Sequence, residues 1–404
     1  MQKRLLILTP RFPFPVIGGD RVRIFHICQA LSQSFKLSLL TFCETKEQLR
    51  FPVSDGLFSH VERVYLPRWK SHLNAARAVP TALPLQIAYY RSAEFQAAVE
   101  RLLPEHDAVL AHLIRTGQYV EGRHEPVILE MTDAISLNYQ RMSGVPDVFD
   151  WKKFVYRFER SRLLRYELST LGKFRRVWLV SDVDRKFLDP GSSNQIEVIP
   201  QGVDLRRFPF ATRNGDVIAF IGNMASVQNQ DACFHFVRDI FPMLRDRAKL
   251  GFRIIGNVPG AVAEKLRAYP GVEVTGRVQE IAGAIRGTFC GVCPVRAAAG
   301  MQTKNLEYLA LGLPCVTSRV GLEGINAIEN DHLLVYDSLE EAADKILLLH
   351  SNPDLRCKIA QQGRALVEQS YDWDIIYPKF QASILDVLES KETLSFSWKP
   401  PVRQ

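Results

Sequence analysis

Long apolar runs are what this 404-residue chain lacks first. Nothing in it approaches the roughly 18 to 20 consecutive apolar residues of a bilayer-spanning helix, which argues against an integral membrane protein. The basic start, Met1 to Pro15, carries too short an apolar run for a signal peptide and no small-residue cleavage site, and reads as a first buried strand. Cysteine is also sparse. Seven of them, an odd number at irregular spacing, make no disulfide framework, and a reducing cytoplasm is the expected compartment. Cys290 and Cys293 form one C-x-x-C, but with no second pair, no nearby His and apolar neighbours they point to neither zinc nor redox use. Zinc-finger spacings and aromatic RNA-reading patterns are absent as well, so nucleic acid is not an expected partner. The net charge of +7 leaves two others, an anionic membrane surface and a phosphorylated substrate.

What is present is an ordinary globular composition, 47% hydrophobic and 24% charged, in a chain long enough for two domains. Short apolar runs recur between helical or loop stretches: Leu5 to Thr9, Leu37 to Phe42, Val61 to Pro67, Ala108 to Leu113, Val127 to Met131 and Val177 to Val180. After the loosely polar Ala211 to Asp216 they resume at Val217 to Gly222, Phe252 to Gly256, Val272 to Val278 and Phe289 to Val295. Alternation of this kind predicts doubly wound parallel sheets.

Cys293 to Ser318 is the most informative stretch. A strand ends in a turn of small residues, a helix over Gln302 to Leu311 follows, Gly312 and Pro314 stop it, and another strand begins. Polar groups just beyond a strand's carboxyl end and at the next helix start occupy the ligand side of a parallel sheet. Lys304 falls in the first helical turn, where the helix dipole already favours an anion, so a phosphate suits that corner. Glu307, one turn on, is placed to accept hydrogen bonds from vicinal hydroxyls. Together they point to a nucleotide-sugar.

With its "LEYLALGLPCV" run, this segment resembles the donor-binding signature of retaining GT-B glycosyltransferases of the glycosyltransferase family 4 type, the exopolysaccharide branch included. Ala299 stands where many members have a first Glu, while Arg296, Gly300, Gln302 and Lys304 resemble the basic, Gly and Gln-x-Lys pattern of one branch. The resemblance implies a GT-B fold: two Rossmann-like domains, 1–204 on the acceptor side and 205–375 for the nucleotide-sugar, with 376–404 as a helix returning to the first domain and a frayed tail after Lys391. It further implies that Gly18 and Gly19, after the first strand, face the donor's phosphates or the acceptor, and that Gly222 and Asn223 hold the diphosphate. Gly276, Arg277 and Val278 are implied at the nucleobase, and His112 beside the donor sugar or acceptor, with Lys304, Glu307, His112 and Arg296 as the catalytic set.

Three further segments carry expectations. Asp20 is placed to cap the helix over Asp20 to Leu31, and Asp133, just past a strand end, serves either the acceptor or a turn. Asp182 and Asp184 form a D-x-D, which Ser181 as N-cap with acids in the first turn explains without metal. From Asp150 to Arg176 the pattern is helical, basic and aromatic: Trp151, Phe154, Val155 and Phe158 stand among Lys152, Lys153, Arg157, Arg160 and Arg162. Such a helix lies on anionic lipid, unless Glu159 and Glu167 pair its charges internally as a solvated face.

The expected activity is metal-free, retaining transfer of a hexosyl group from a nucleoside-diphosphate-sugar to a hydroxyl acceptor. A lipid-linked saccharide at the inner face of the plasma membrane is the expected acceptor. A nucleotide-sugar epimerase or phosphorylase of the same fold, and a non-catalytic carbohydrate-binding protein, remain alternatives.

Overall fold

The computed structural model describes residues 2–53, 56–146, 150–191 and 195–389, so the expected fraying after Lys391 falls outside the described residues. Contacts divide the chain into two compact units: Met1–Gln140, Phe154–Ile199 and Tyr377–Gln404 form one, Arg141–Lys153 and Pro200–Ile376 the other.

In the first unit the strands are β1 (Arg4–Thr9), β2 (Lys36–Cys43), β3 (His60–Tyr65), β4 (Ala108–His112), β5 (Val127–Thr132), β6 (Arg176–Leu179) and β7 (Ile196–Val198). They form a parallel sheet in the order β3-β2-β1-β4-β5-β6-β7. β1 and β4 are buried along nearly their whole length because helices cover both faces, and their sequences are accordingly continuous apolar runs. Leu5 lies in register with Leu37 on one side and Ala108 on the other. The second unit repeats the plan with β8 (Val217–Ile221), β9 (Gly251–Ile255), β10 (Val272–Gly276), β11 (Thr288–Cys293), β12 (Cys315–Ser318) and β13 (Leu334–Tyr336), in the order β10-β9-β8-β11-β12-β13.

Seven helices carry the argument below: α1 (Gly19–Ser32), α2 (Arg68–Ala78), α3 (Asp150–Leu171), α4 (Asp182–Leu188), α5 (Val227–His235), α6 (Thr303–Ala310) and α7 (Trp373–Glu389). α3 stops at Leu171 rather than Arg176, since Arg176 opens β6. Asp20 does not cap α1. Gly18 holds the cap position with φ 100°, no side chain caps it, and Asp20 lies in the first turn, 3.5 Å from Arg11.

α7 leaves the second unit and packs on the first. Phe380 meets Trp178 with ring centroids 5.1 Å apart, and Trp178 Nε1 donates to Ser383 Oγ at 2.9 Å. The unit boundary falls after Ile199, earlier than the Asp204 read from sequence, for a local reason. Gly202 lies directly under the Trp373 rings, and the Val203 N–H donates to the Tyr371 carbonyl at 2.8 Å, so this stretch belongs to the second unit's packing.

In the second unit the core side of α6 is fixed by Tyr308. Its ring lies over Gly291 in the middle of β11, where an added Cβ would sit 2.7 Å from ring carbons. Its hydroxyl accepts from the Ile221 N–H at 2.8 Å and donates to the Val292 carbonyl at 3.2 Å, bridging β8 and β11. Replacing Gly291 by Ala should force ring or strand aside and lower stability by about 1–3 kcal/mol, the usual range for overpacking. Thermal unfolding of the purified variant checks this, and a melting temperature equal to the parent's would show that the ring moves freely.

Candidate functional site

Each sheet has one point where successive strands are laid in opposite directions, and at such a point the carboxyl ends of the two strands open a crevice. In the second unit it lies between β8 and β11. Gly222 and Asn223 follow β8, the loop holding Arg296, Ala299 and Gly300 follows β11, and Gln302 stands at the N-cap of α6. The residues expected to bind the donor's phosphates and sugar therefore flank one crevice.

Lys304 is the centre of that crevice. It is 7% exposed, its Nζ donates to Asn229 Oδ1 at 2.7 Å and stands 4.9 Å from the centroid of the Phe220 ring. Among the described residues no carboxylate lies within ion-pair distance of it. A buried ammonium held by one amide and one aromatic face keeps a strong unmet preference for an anion. The first turn of α6 adds backbone N–H groups aimed the same way.

Asn229, from α5, was not singled out in the sequence, and it organises the opposite wall. Its Nδ2 donates to the Asn223 carbonyl at 2.9 Å. Asn223 Oδ1 in turn accepts from the Ala225 N–H at 3.0 Å and from Asn257 Nδ2 at 3.1 Å, which shapes a tight turn after β8. Gly256, at φ 138°, closes this wall from β9: a Cβ there would fall 2.0 Å from the Gly222 carbonyl oxygen, so only glycine fits.

Glu307 is partly exposed, and its carboxylate accepts no hydrogen bond from any described residue. Burial raises its pKa to about 7 against the opposing charges of Lys304 and Arg207. Arg296 is committed elsewhere: its guanidinium grips both oxygens of the buried Asp231, with Nε to Oδ2 at 3.0 Å. The loop after β11 is also held by Arg141, which donates to the Ala298 carbonyl at 2.6 Å and pairs with Glu323 at 2.6 Å. Gly276, at φ 76° with open space around its Cα, and the exposed Arg277 end β10 two strands away, and Val278 lies half-buried beside them.

In the first unit the equivalent crevice lies between β1 and β4. Gly18 and Gly19 follow β1, and His112 ends β4. His112 is buried, and its Nδ1 meets Glu130 Oε2 at 2.6 Å. Glu130 also receives Arg23 Nε at 2.6 Å and the Thr132 hydroxyl at 2.9 Å. Burial alone would push the Glu130 carboxyl up, but Arg23 and then His112 outweigh it and hold it well below the usual carboxylate range. The residues after His112 and within this chain's β5 end, Leu113 and Thr132, both have positive φ, 63° and 67°. Backbone strain of this kind collects where a site needs a fixed geometry. Burial, with Asp184 nearby, raises the Asp133 pKa to about 7.

Ser181 caps α4, accepting from the Asp184 N–H at 3.2 Å, while Asp184 Oδ1 accepts from Ala134 N–H at 2.8 Å and Asp182 pairs with Arg185. Among the described residues no cluster of His, Cys, Asp and Glu has the makings of a metal site. Cys290 and Cys293 are buried free thiols on β11, with burial raising both. No helix among the described residues is long and apolar enough to cross a membrane.

Residues 215–352 match the family model described as "Glycosyl transferases group 1". A curated relative, an uncharacterized 44.6 kDa protein in the cps region of Klebsiella pneumoniae, is 20% identical over 164 residues, 38% of this chain. The match spans 42% of that relative's length. Among solved structures, sucrose-phosphate synthase from Thermosynechococcus elongatus aligns with a TM-score of 0.73 at 13% identity, covering 95% of this chain and 99% of that one. Anabaena HepE in complex with UDP-glucose gives 0.65 at 13% identity, covering 95% and 100%. A glycosyltransferase from Rickettsia africae gives 0.64 at 13% identity, covering 97% and 100%. These likenesses show the fold, two Rossmann-like sheets in the GT-B arrangement of elements.

Glu307 yields a pH test with a definite sign. The folded protein retains this proton up to about pH 7, whereas the unfolded chain releases it near the ordinary value of 4.5. The stabilisation from holding that proton is complete below about pH 4.5 and is lost as pH rises through about 7. Glu307→Gln should therefore melt close to the parent near pH 4.5 and above it near pH 8. A variant that melts below the parent across that range would show that ionised Glu307 stabilises the empty fold.

Proposed function

We propose that this chain is a glycosyltransferase that moves a sugar from a nucleoside-diphosphate donor to a hydroxyl acceptor. The observation that carries the reading is Lys304: a buried ammonium without a carboxylate partner among the described residues, at a helix start, in the crevice between β8 and β11. A diphosphate supplies the anion that this position lacks, and as the bond from sugar to phosphate breaks the growing negative charge strengthens the contact. Glu307, one turn along α6 with both carboxylate oxygens unclaimed, accepts the ribose hydroxyls of the same ligand. The match of residues 215–352 to a glycosyl transferase family and the UDP-glucose in HepE support a nucleotide-sugar as the donor.

The finer parts of the reading are retention at the sugar carbon, transfer of a hexosyl unit, the family 4 type and a lipid-linked saccharide as acceptor, in polysaccharide or glycoconjugate synthesis. Gly18, Gly19, His112 and Asp133, at the ligand edge of the first sheet, are the residues assigned to the acceptor and the donor sugar. Arg296 acts through Asp231, shaping the loop after β11, rather than as a free phosphate clamp. We assign catalysis no divalent ion, because the groups facing the diphosphate are an ammonium and backbone N–H donors and the D-x-D lies in the first turn of a helix capped by Ser181. The enzyme works at the cytoplasmic face of the membrane.

The test is release of nucleoside diphosphate from a panel of nucleotide-sugars, alone and with a synthetic lipid-linked saccharide. Release that depends on the acceptor supports transfer, whereas conversion of the donor without release would indicate an epimerase. Lys304→Ala should reduce turnover by about 2–4 kcal/mol in barrier, on the order of 10²- to 10³-fold. Unchanged turnover in a folded variant would remove Lys304 from the site. EDTA should leave the rate intact, and loss restored by Mg²⁺ would overturn the metal-free assignment.

A further inference from the structure

Two neighbouring surfaces share a composition that donor binding does not use. The first is α3, most of which belongs to the first unit. Phe154 and Phe158, four residues apart in its first-unit part, lie on one helical face and are 70% and 38% exposed. Its two interior acids are turned inward and used there. Glu159 pairs with Arg162 at 2.7 Å and accepts from the Leu85 N–H at 2.6 Å, and Glu167 is bound to Ser136. The exposed charges from Phe154 to Arg165 are Arg157, Arg160 and Arg165, all positive.

The second surface is α2 and the loop after it. From Arg63 to Ala93 the chain contains no Asp or Glu, yet it carries Arg63, Arg68, Lys70, Arg77 and Arg91. On this acid-free stretch Trp69 is 68%, Leu73 41% and Val79 51% exposed, Trp69 and Leu73 being one helical turn apart. The two surfaces are fastened together by Arg162, whose guanidinium donates to the Ala78 carbonyl at 2.7 Å and the Thr81 carbonyl at 2.5 Å. Among the described residues, the only carboxylate paired to the outward cations of α2 is Glu44, on Arg68.

Large apolar side chains held in water give a soluble domain nothing, and their repetition at helical spacing marks a surface meant to be covered. Cations alone would suit any polyanion. Cations interleaved with Trp, Phe and Leu suit a surface that is anionic on top and hydrocarbon beneath, which is an anionic bilayer. We propose that α2 and the first-unit part of α3, from Phe154 on, form one docking face for anionic lipid, with Trp69 and Leu73 as an anchor separate from Phe154 and Phe158. This deepens the lipid-linked acceptor reading above, and binding to lipid does not require that reading to be right.

The full chain is sedimented with vesicles of phosphatidylcholine alone and of phosphatidylcholine mixed with phosphatidylglycerol, at rising salt. The parent should bind only the mixed vesicles, and less as salt increases. Trp69→Ala with Leu73→Ala should weaken that binding about tenfold, as should Lys70→Gln with Arg77→Gln, from lost burial in one case and lost charge in the other. Stabilisation by nucleotide-sugars, read as a melting shift, should be unchanged in both. An α2 variant that sediments like the parent overturns the proposal, as does a parent that ignores anionic lipid or prefers soluble heparin. If vesicles are bound and no nucleotide-sugar stabilises the protein, the transfer reading fails and the docking face stands.

Discussion

One hydroxyl group holds the site's geometry. Tyr308 Oη sits between two strands that diverge at their carboxyl ends, taking a hydrogen from Ile221 and giving one to Val292. A polar group buried at that depth is tolerable only when satisfied, and the two strand ends supply its partners. Because Tyr308 lies on α6 between Lys304 and the helix end, this contact fixes the helix's distance from β8 and β11, and with it the position of the ammonium. Lys304 then depends on Asn229, and Asn229 on the turn at Asn223, so the crevice is a chain of single contacts rather than a set of independent residues. Such a chain favours function over stability: a buried cation with only a neutral partner and a carboxyl raised to about 7 both destabilise the empty fold and are relieved by a suitable ligand.

The first unit solves the same problem with charge. Arg23, Glu130 and His112 form a buried line from α1 through β5 to β4, and Arg23 also reaches the Ile199 carbonyl at 3.1 Å, where the unit ends. Here the charges satisfy one another, so Glu130 is held ionised and His112 Nδ1 is occupied. The imidazole orientation at the sheet's ligand edge is thereby set by residues far from one another in sequence.

The strands were legible because both faces of a parallel sheet are covered, which turns each strand into a continuous apolar run that needs no partner to be recognised. Lys304 and Glu307 were legible for a related reason: a helix start after a strand end carries its own dipole argument. What sequence could not convey was pairing at long range. Nothing near Arg296 says that Asp231, 65 residues earlier, takes its guanidinium. Asn229 stands in an unremarkable polar run, and its importance comes from where α6 is packed. Asp20 looks like a cap, yet Gly18 reaches the cap position with a backbone conformation no side chain predicts. Glu159 and Glu167 read as neutralising partners for the basic helix, and Glu159 does pair with Arg162, but Glu167 is taken by Ser136 and both acids are buried, which leaves Arg157, Arg160 and Arg165 exposed. The acid-free stretch from Arg63 to Ala93 was visible in composition, and only the exposure of Trp69 and Leu73 gives it meaning.

The central claim is that the crevice between β8 and β11 is built for a diphosphate joined to a ribose. Calorimetric titration of the protein with UDP, UDP-glucose, other nucleotide-sugars and inorganic pyrophosphate, in the presence of EDTA, tests it most directly. The account predicts saturable binding of at least one nucleotide-sugar, weaker binding of pyrophosphate because Glu307 is left without its hydroxyls, and a marked loss of both in Lys304→Met. Absence of binding across the panel, or binding that Lys304→Met leaves unchanged, would contradict it.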